Sequence, residues 1–116
     1  MKITLLNEKV RSWNDFYAGK HWSLRSAEAT RIHYVVRHEL NKMKAQMLNS
    51  PVDITVTGYY KGRAIDADNL CSKFYIDGLK GLVIPDDSPK YVNSVKTMSK
   101  QDKINPRVEI EVEEIK

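Results

Sequence analysis

Residues 108–113 read Val108-Glu109-Ile110-Glu111-Val112-Glu113, a strict alternation of β-branched and acidic side chains. Successive side chains of a strand point to opposite faces, so this stretch, the cleanest alternation in the chain, predicts a strand. Working outward, Val52, Ile54 and Val56 alternate with Asp53, Thr55 and Thr57 and predict a second half-buried strand, running on through Tyr59 and Tyr60 to about Ile65. Residues 2–6 are short and apolar enough for a first strand, and Tyr91 to Met98 reads as another. Between them, Ile32, Val36, Leu40, Met43 and Met47 recur at spacings of 4, 4, 3 and 4, which places them on one stripe of a helix. That helix is expected over about Ser23–Asn49, capped by Ser23 or Ser26 and stopped by Asn49-Ser50-Pro51.

A second, shorter helix is expected from near Asp68 to Leu79–Gly81, with Leu70, Phe74 and Leu82, helped by Gly78, facing the sheet. The stretch from Glu8 to Trp22 lacks a period and reads as a long loop. Pro85-Asp86-Asp87-Ser88-Pro89 is a turn by composition. The element order is β-α-β-α-β-β, an α/β chain of the two-layer α+β kind with a mixed sheet.

The chain has 116 residues, 41% of them apolar and 29% charged, which is ordinary globular composition for one domain spanning 1–116. No apolar run approaches the ~18 residues a membrane span needs. Met1 to Leu6 is too short for a secretory apolar region. A lone cysteine, Cys71, excludes an internal disulfide and suits a reducing compartment, so the expected location is cytoplasmic. Nineteen Lys and Arg stand against 15 Asp and Glu, a net charge of +4. The excess is local: residues 1–50 hold nine basic and four acidic side chains, residues 51–90 five and six. A basic half beside an acidic middle suits an enzyme that acts on a polyanion through metal ions, although unrelated solvated faces give the same tally. Arg11, Lys20, Arg25 and Arg31 in the basic half are candidate contacts to backbone phosphates.

Five aspartates, Asp66, Asp68, Asp77, Asp86 and Asp87, lie between positions 66 and 87. Asp66 and Asp68 are two apart where a strand is expected to end, so in extended geometry they share a side. Side-by-side carboxylates repel unless a cation or proton sits between them, and hard oxygen ligands suit Mg²⁺ or Mn²⁺ rather than zinc. The plainer alternatives are a helix cap at Asp68-Asn69 and a turn at Asp86-Asp87. A calcium loop is disfavoured, because Cys71 stands where that loop needs glycine. No phosphate-binding glycine loop, zinc pattern or Ser-His-Asp arrangement is present, and His21, His33 and His38 read as surface or partner-facing.

Asp66-Ala67-Asp68-Asn69-Leu70, then Lys73, Asp77-Gly78-Leu79 and Asp86-Asp87-Ser88 resemble the RusA family of Holliday junction resolvases. Ser12-x-Asn14-x-x-Tyr17 is similar to that family's Ser-x-Asn-x-x-Tyr signature, and the element order agrees. The resemblance implies a homodimeric, Mg²⁺-dependent endodeoxyribonuclease that nicks four-way junctions symmetrically in recombination and repair, often carried by a phage or prophage. It implies catalytic, metal-binding roles for Asp66, Asp68 and Asp87 and a charge-stabilising role for Lys73. Asn14 and Tyr17 of the matching signature, with Lys20 and Arg25 of the basic half, are the expected DNA contacts. Metal held by the aspartates would polarise phosphoryl oxygens and generate hydroxide near neutral pH. No organic cofactor and no membrane partner is implied.

Two conditions follow from spacing. Lys73 lies five residues after Asp68 where the family pattern has four, so an extra residue must be absorbed near Cys71-Ser72; in a continuous helix Lys73 would be rotated by ~100°. A helix from Asp68 to about Lys80 is ~18–20 Å long. Residues 81–87 span at most ~25 Å, so Asp87 reaches Asp66 and Asp68 only if the loop doubles back along the helix or the next strand starts near their end; otherwise a partner subunit completes the site or Asp87 does not belong to it. Tyr34 and Val35 widen the first helix's apolar face, as a dimer would need. Two rival readings are a non-catalytic nucleic-acid-binding module on a ferredoxin-like sheet, with Tyr59, Tyr60 and Tyr91 stacking on bases, and a nuclease for other branched DNA.

Overall fold

A computed structural model describes residues 1–19 and 21–115. Four strands, β1 (Lys2–Leu6), β2 (Val52–Tyr60), β3 (Val92–Gln101) and β4 (Arg107–Glu114), form one mixed sheet in the order β1-β4-β2-β3. Strand β4 runs antiparallel to both β1 and β2, with Ile110 opposite Ile3 on one side and Val56 on the other. The two alternating stretches are thus central neighbours. Val108, Ile110, Val112, Val52, Ile54 and Val56 are all buried on one face, while Glu111, Lys96 and Lys100 populate the other. Strand β3 is a parallel edge to β2, its lysines protecting that edge from further pairing.

Three α-helices lie on the apolar face: α1 (Trp13–Tyr17), α2 (Trp22–Lys42) and α3 (Lys73–Asp77). The predicted two-layer α+β architecture is therefore the observed one, a single domain with three helices and a four-stranded mixed sheet. Among the described residues, no helix is long and apolar enough to cross a membrane.

Several expected boundaries are corrected. The Glu8–Trp22 stretch is not all loop. Ser12 caps α1 through a reciprocal box, its Oγ accepting from the Asp15 amide at 3.0 Å while its own amide donates to the Asp15 carboxylate at 3.2 Å. Helix α2 is capped by His21 rather than Ser23 or Ser26, the imidazole accepting from the Ser23 amide at 3.1 Å. It ends at Lys42 rather than Asn49. Lys44 adopts a left-handed φ of 54°, and its amide and that of Ala45 bond back to the Asn41 and Leu40 carbonyls, the two bonds of a Schellman stop. Ile32, Val36 and Leu40 are buried, whereas Met43 and Met47 are 45% and 41% exposed.

The expected second helix is broken in three. A 3₁₀ turn at Ala67–Asn69 comes first, then extended backbone, then α3. Leu70 bridges Ser12, and the Cys71 amide donates to the Arg11 carbonyl at 2.9 Å instead of to a helical partner, while the Leu70 amide closes the 3₁₀ turn on the Ala67 carbonyl at 3.4 Å. Leu70, Cys71 and Ser72 are all buried, an arrangement an amphipathic helix does not produce. Gly78 packs on α2 instead of the sheet, since a Cβ there would lie 3.0 Å from the Val36 Cβ. Leu79 is fully buried, and Leu82 only partly.

Candidate active site

Parallel strands need a long crossover, and the one joining β2 to β3 carries all five aspartates. Strand β2 ends at Tyr60, short of the predicted Ile65, so Asp66 and Asp68 stand on the 3₁₀ turn rather than at a strand end. The turn is fixed by its backbone. Asn69 donates to the Asp66 carbonyl at 3.0 Å, and the Thr97 hydroxyl of β3 donates to the Ala67 carbonyl at 2.7 Å. Asp66 occupies the cap position with extended backbone but makes no side-chain capping bond, and nor does Asp68. Both are exposed, and among the described residues neither carboxylate has a hydrogen-bond or ion-pair partner. The cap explanation for Asp68-Asn69 does not hold.

Lys73 opens α3, and the three non-helical residues before it absorb the extra position in the spacing. Its ammonium lies 3.7 Å from Asp77. Lys80 bridges Asp77 at 3.5 Å and Asp87 at 3.4 Å, so a file of alternating charges runs Lys73, Asp77, Lys80, Asp87. Desolvation pushes the Asp87 carboxyl up, but the Lys80 charge and hydrogen bond outweigh it and hold it below the ordinary carboxylate value. Desolvation likewise opposes charge on Lys80, and the two aspartates more than restore it.

The donor set is carboxylate oxygen alone, which suits a hard divalent ion. Its arrangement within one chain does not complete a site: among the described residues no three His, Cys, Asp or Glu side chains gather into a group that could hold a metal. Asp66 and Asp68 share a turn, and Asp87 is drawn to Lys80.

The Ser12–Leu70 bridge sets α1 beside the chain just after the acidic turn. Asn14 and Tyr17 are exposed on α1. The Arg25 guanidinium lies 4.9 Å from the Tyr17 ring centroid and donates to the Phe16 carbonyl at 3.0 Å, while Trp13 sits 5.6 Å from Tyr17. Lys20 lies outside the described residues. Arg31 is corrected from a phosphate contact to an internal one. Its guanidinium donates to both Glu8 oxygens at 2.9 and 2.8 Å and to Glu28 at 2.9 Å. Arg11 is 3.9 Å from Glu28.

Two of the three tyrosines of the rival binding module are engaged within the fold, and Tyr91 is half-buried with the Lys90 ammonium 5.4 Å from its ring centroid. Tyr60 is buried with its hydroxyl donating to the Val10 carbonyl at 2.8 Å, and burial pushes that phenol up to about 12. Tyr59 is covered by the Arg107 guanidinium at 3.7 Å from its centroid. Cys71 is buried, which raises its thiol to about 11 and makes it a poor nucleophile.

Sequence reading missed the Glu8–Arg31–Tyr75 group, whose Tyr75 hydroxyl donates to Glu8 at 2.7 Å. Separations of 23 and 67 residues leave no local signal for it. It also missed α1, although Ser12 followed three residues later by Asp15 is a legible cap signature.

A small α+β domain with unpartnered carboxylates on a hydrogen-bonded crossover turn, flanked by lysines, has the equipment of a hydrolase acting on a polyanion. The family model for endodeoxyribonuclease RusA matches residues 3–113, and the chain belongs to the RusA endodeoxyribonuclease family. That family comprises Holliday junction-resolving endodeoxyribonucleases, which are hydrolases acting on DNA. No curated protein matches the chain.

Proposed function

We propose that this chain is a Mg²⁺-dependent, structure-selective endodeoxyribonuclease that resolves four-way junctions by paired symmetric nicks, and that it works as a homodimer in recombination and repair. The observation that carries the reading is the anchored 3₁₀ turn, which holds Asp66 and Asp68 exposed and without partners. Asp87 is the third carboxylate. Its tie to Lys80 is a solvent-exposed ion pair, worth about 1 kcal/mol or less, so little opposes its release towards the other two when a cation replaces the lysine. Mg²⁺ is the ion favoured by the all-oxygen donors, with Mn²⁺ as a substitute.

Lys73, at the start of α3, supplies fixed positive charge where a phosphodiester gathers negative charge in the transition state. Asn14, Tyr17 and Arg25 on the neighbouring helices, together with Lys20, hold the DNA backbone, and junction selectivity comes from shape. A two-fold dimer matches a two-fold junction. The exposed Tyr34 on α2, 73% accessible and stacked on His38, supports such an interface. The cellular setting proposed is the cytoplasm of a bacterial or phage-infected cell, where a lone buried thiol stays reduced.

Cutting of a labelled junction is expected with Mg²⁺ or Mn²⁺ and none in EDTA; undiminished cutting in EDTA would sink the metal assignment. Sedimentation at micromolar concentration is expected to give twice the 13.4 kDa chain mass, and a monomer there would count against the dimer.

A further inference from the structure

A cleft of about 230 Å³ opens between the end of β1, the end of β2 and the loop that leaves β2 for the acidic turn. Its rim carries Lys9, Lys61 and Arg63, with Glu8, Tyr59 and Pro106 among its walls. All three cations are exposed, and among the described residues none has an ion-pair partner. The one acidic side chain in the lining is already neutralised, because both Glu8 oxygens accept from Arg31 and one also accepts from Tyr75. Arg107, stacked on Tyr59, adds no free charge, being paired with Asp102 at 2.9 Å and Glu109 at 2.7 Å. Three uncompensated positive charges therefore surround one concavity.

Size and position narrow the ligand. The volume falls below the ~300–1,000 Å³ of sites that engulf a small organic molecule, so an anionic group presented from outside fits better than an enclosed ligand. Arg63 precedes Asp66 by three residues, which limits their Cα separation to ~11 Å. Neighbouring phosphates of a strand lie further apart than the ~3.4 Å axial rise, so that separation is at most about three steps.

We propose that this cleft grips the backbone phosphates of the DNA strand within about three nucleotides of the phosphodiester presented to Asp66 and Asp68. The inference rests on the nuclease reading, since it needs a strand lying across that turn. Lys61 and Arg63 are the principal contacts, with Lys9 on the opposite rim. Because the two lie on the loop that leads directly into the 3₁₀ turn, a strand held there is registered on the carboxylates, which positions the cut without reading bases.

The test is the salt dependence of junction binding in EDTA, for wild type, the Lys61→Ala/Arg63→Ala pair, the charge-conserving Lys61→Arg/Arg63→Lys pair and Lys42→Ala. Lys42 is a suitable control, eleven residues beyond Arg31 and so ~16 Å further along α2. Each lost phosphate contact lowers the slope of log affinity against log salt by ~0.9, so the alanine pair should lose about 2 units of slope and at least tenfold in affinity at low salt. The conservative pair and Lys42→Ala should keep the wild-type slope. An unchanged slope in the alanine pair, or an equal fall in Lys42→Ala, would overturn the cleft assignment while leaving a cutting wild type as a nuclease. The predicted fall in slope with no cutting under any metal would keep the cleft and overturn the nuclease reading. A wild type that binds neither junction nor duplex DNA would overturn both.

Discussion

Asp68→Asn is expected to bind a four-way junction at least as tightly as wild type and to cut it ~10³-fold more slowly or worse, a loss of roughly 4 kcal/mol of transition-state stabilisation. Asp68 is exposed on the 3₁₀ turn, and that turn is held by the Asn69–Asp66 and Thr97–Ala67 bonds, none of which involves its side chain. Removing one carboxylate charge therefore costs no intramolecular contact, leaves the turn in place and relieves repulsion with DNA. A stability loss would require another explanation, so a cutting defect in a normally folded, normally binding variant isolates the chemistry. Cutting rates on a labelled junction, paired with binding in EDTA, make the check; a rate within tenfold of wild type would remove Asp68 from the catalytic set.

Glu8→Gln is expected to destabilise the fold although it removes no apolar contact. The Glu8 side chain is only 7% exposed, receives two bonds from Arg31 and one from Tyr75, and ties the end of β1 to α2 and α3. Breaking a buried pair costs about 3–5 kcal/mol. The Arg31 side chain is 47% exposed, so solvent screens part of this and about 2–3 kcal/mol is the appropriate figure. Tyr75→Phe, which removes one hydrogen bond, should cost about 1 kcal/mol.

The group also sets a pH dependence. Burial pushes the Glu8 carboxyl up, but the Arg31 and Tyr75 hydrogen bonds and the Arg31 charge together bring it below its ordinary 4.5. A folded-state value below the unfolded one means that the carboxylate's contribution is complete above pH ~4.5 and is lost as pH falls through the lower folded value. Urea midpoints between pH 7 and pH 3 should thus fall for wild type and flatten for Glu8→Gln. Parallel curves would contradict the assignment.

What sequence could and could not reveal follows from the range of the interactions. The alternation at 52–57 and 108–113 is a local consequence of one buried face, and both strands stand where the pattern puts them, as direct neighbours. The Ile32-Val36-Leu40 stripe is equally local, but Met43 and Met47 continue its spacing past a stop that depends on Lys44 taking a left-handed backbone, which its side chain does not advertise. Leu70, Phe74 and Gly78 mimic a helical period. The backbone pairing of Leu70 and Cys71 with residues nearly sixty positions earlier breaks that helix, and no local pattern reports a distant pairing. The same break places Lys73 at the start of α3. The aspartates were legible as a motif, whereas the pairing of Asp87 with Lys80 was not, because it depends on how the loop after α3 folds back.

The most direct measurement is cutting of an immobile four-way junction beside a linear duplex of the same sequence, with wild-type protein and Mg²⁺, each strand labelled in turn. Paired nicks at symmetric positions across the junction, with the duplex left intact, are the predicted result. Equal cutting of the linear duplex would contradict junction resolution, and tight binding to the junction without cutting in Mg²⁺ or Mn²⁺ would contradict catalysis altogether.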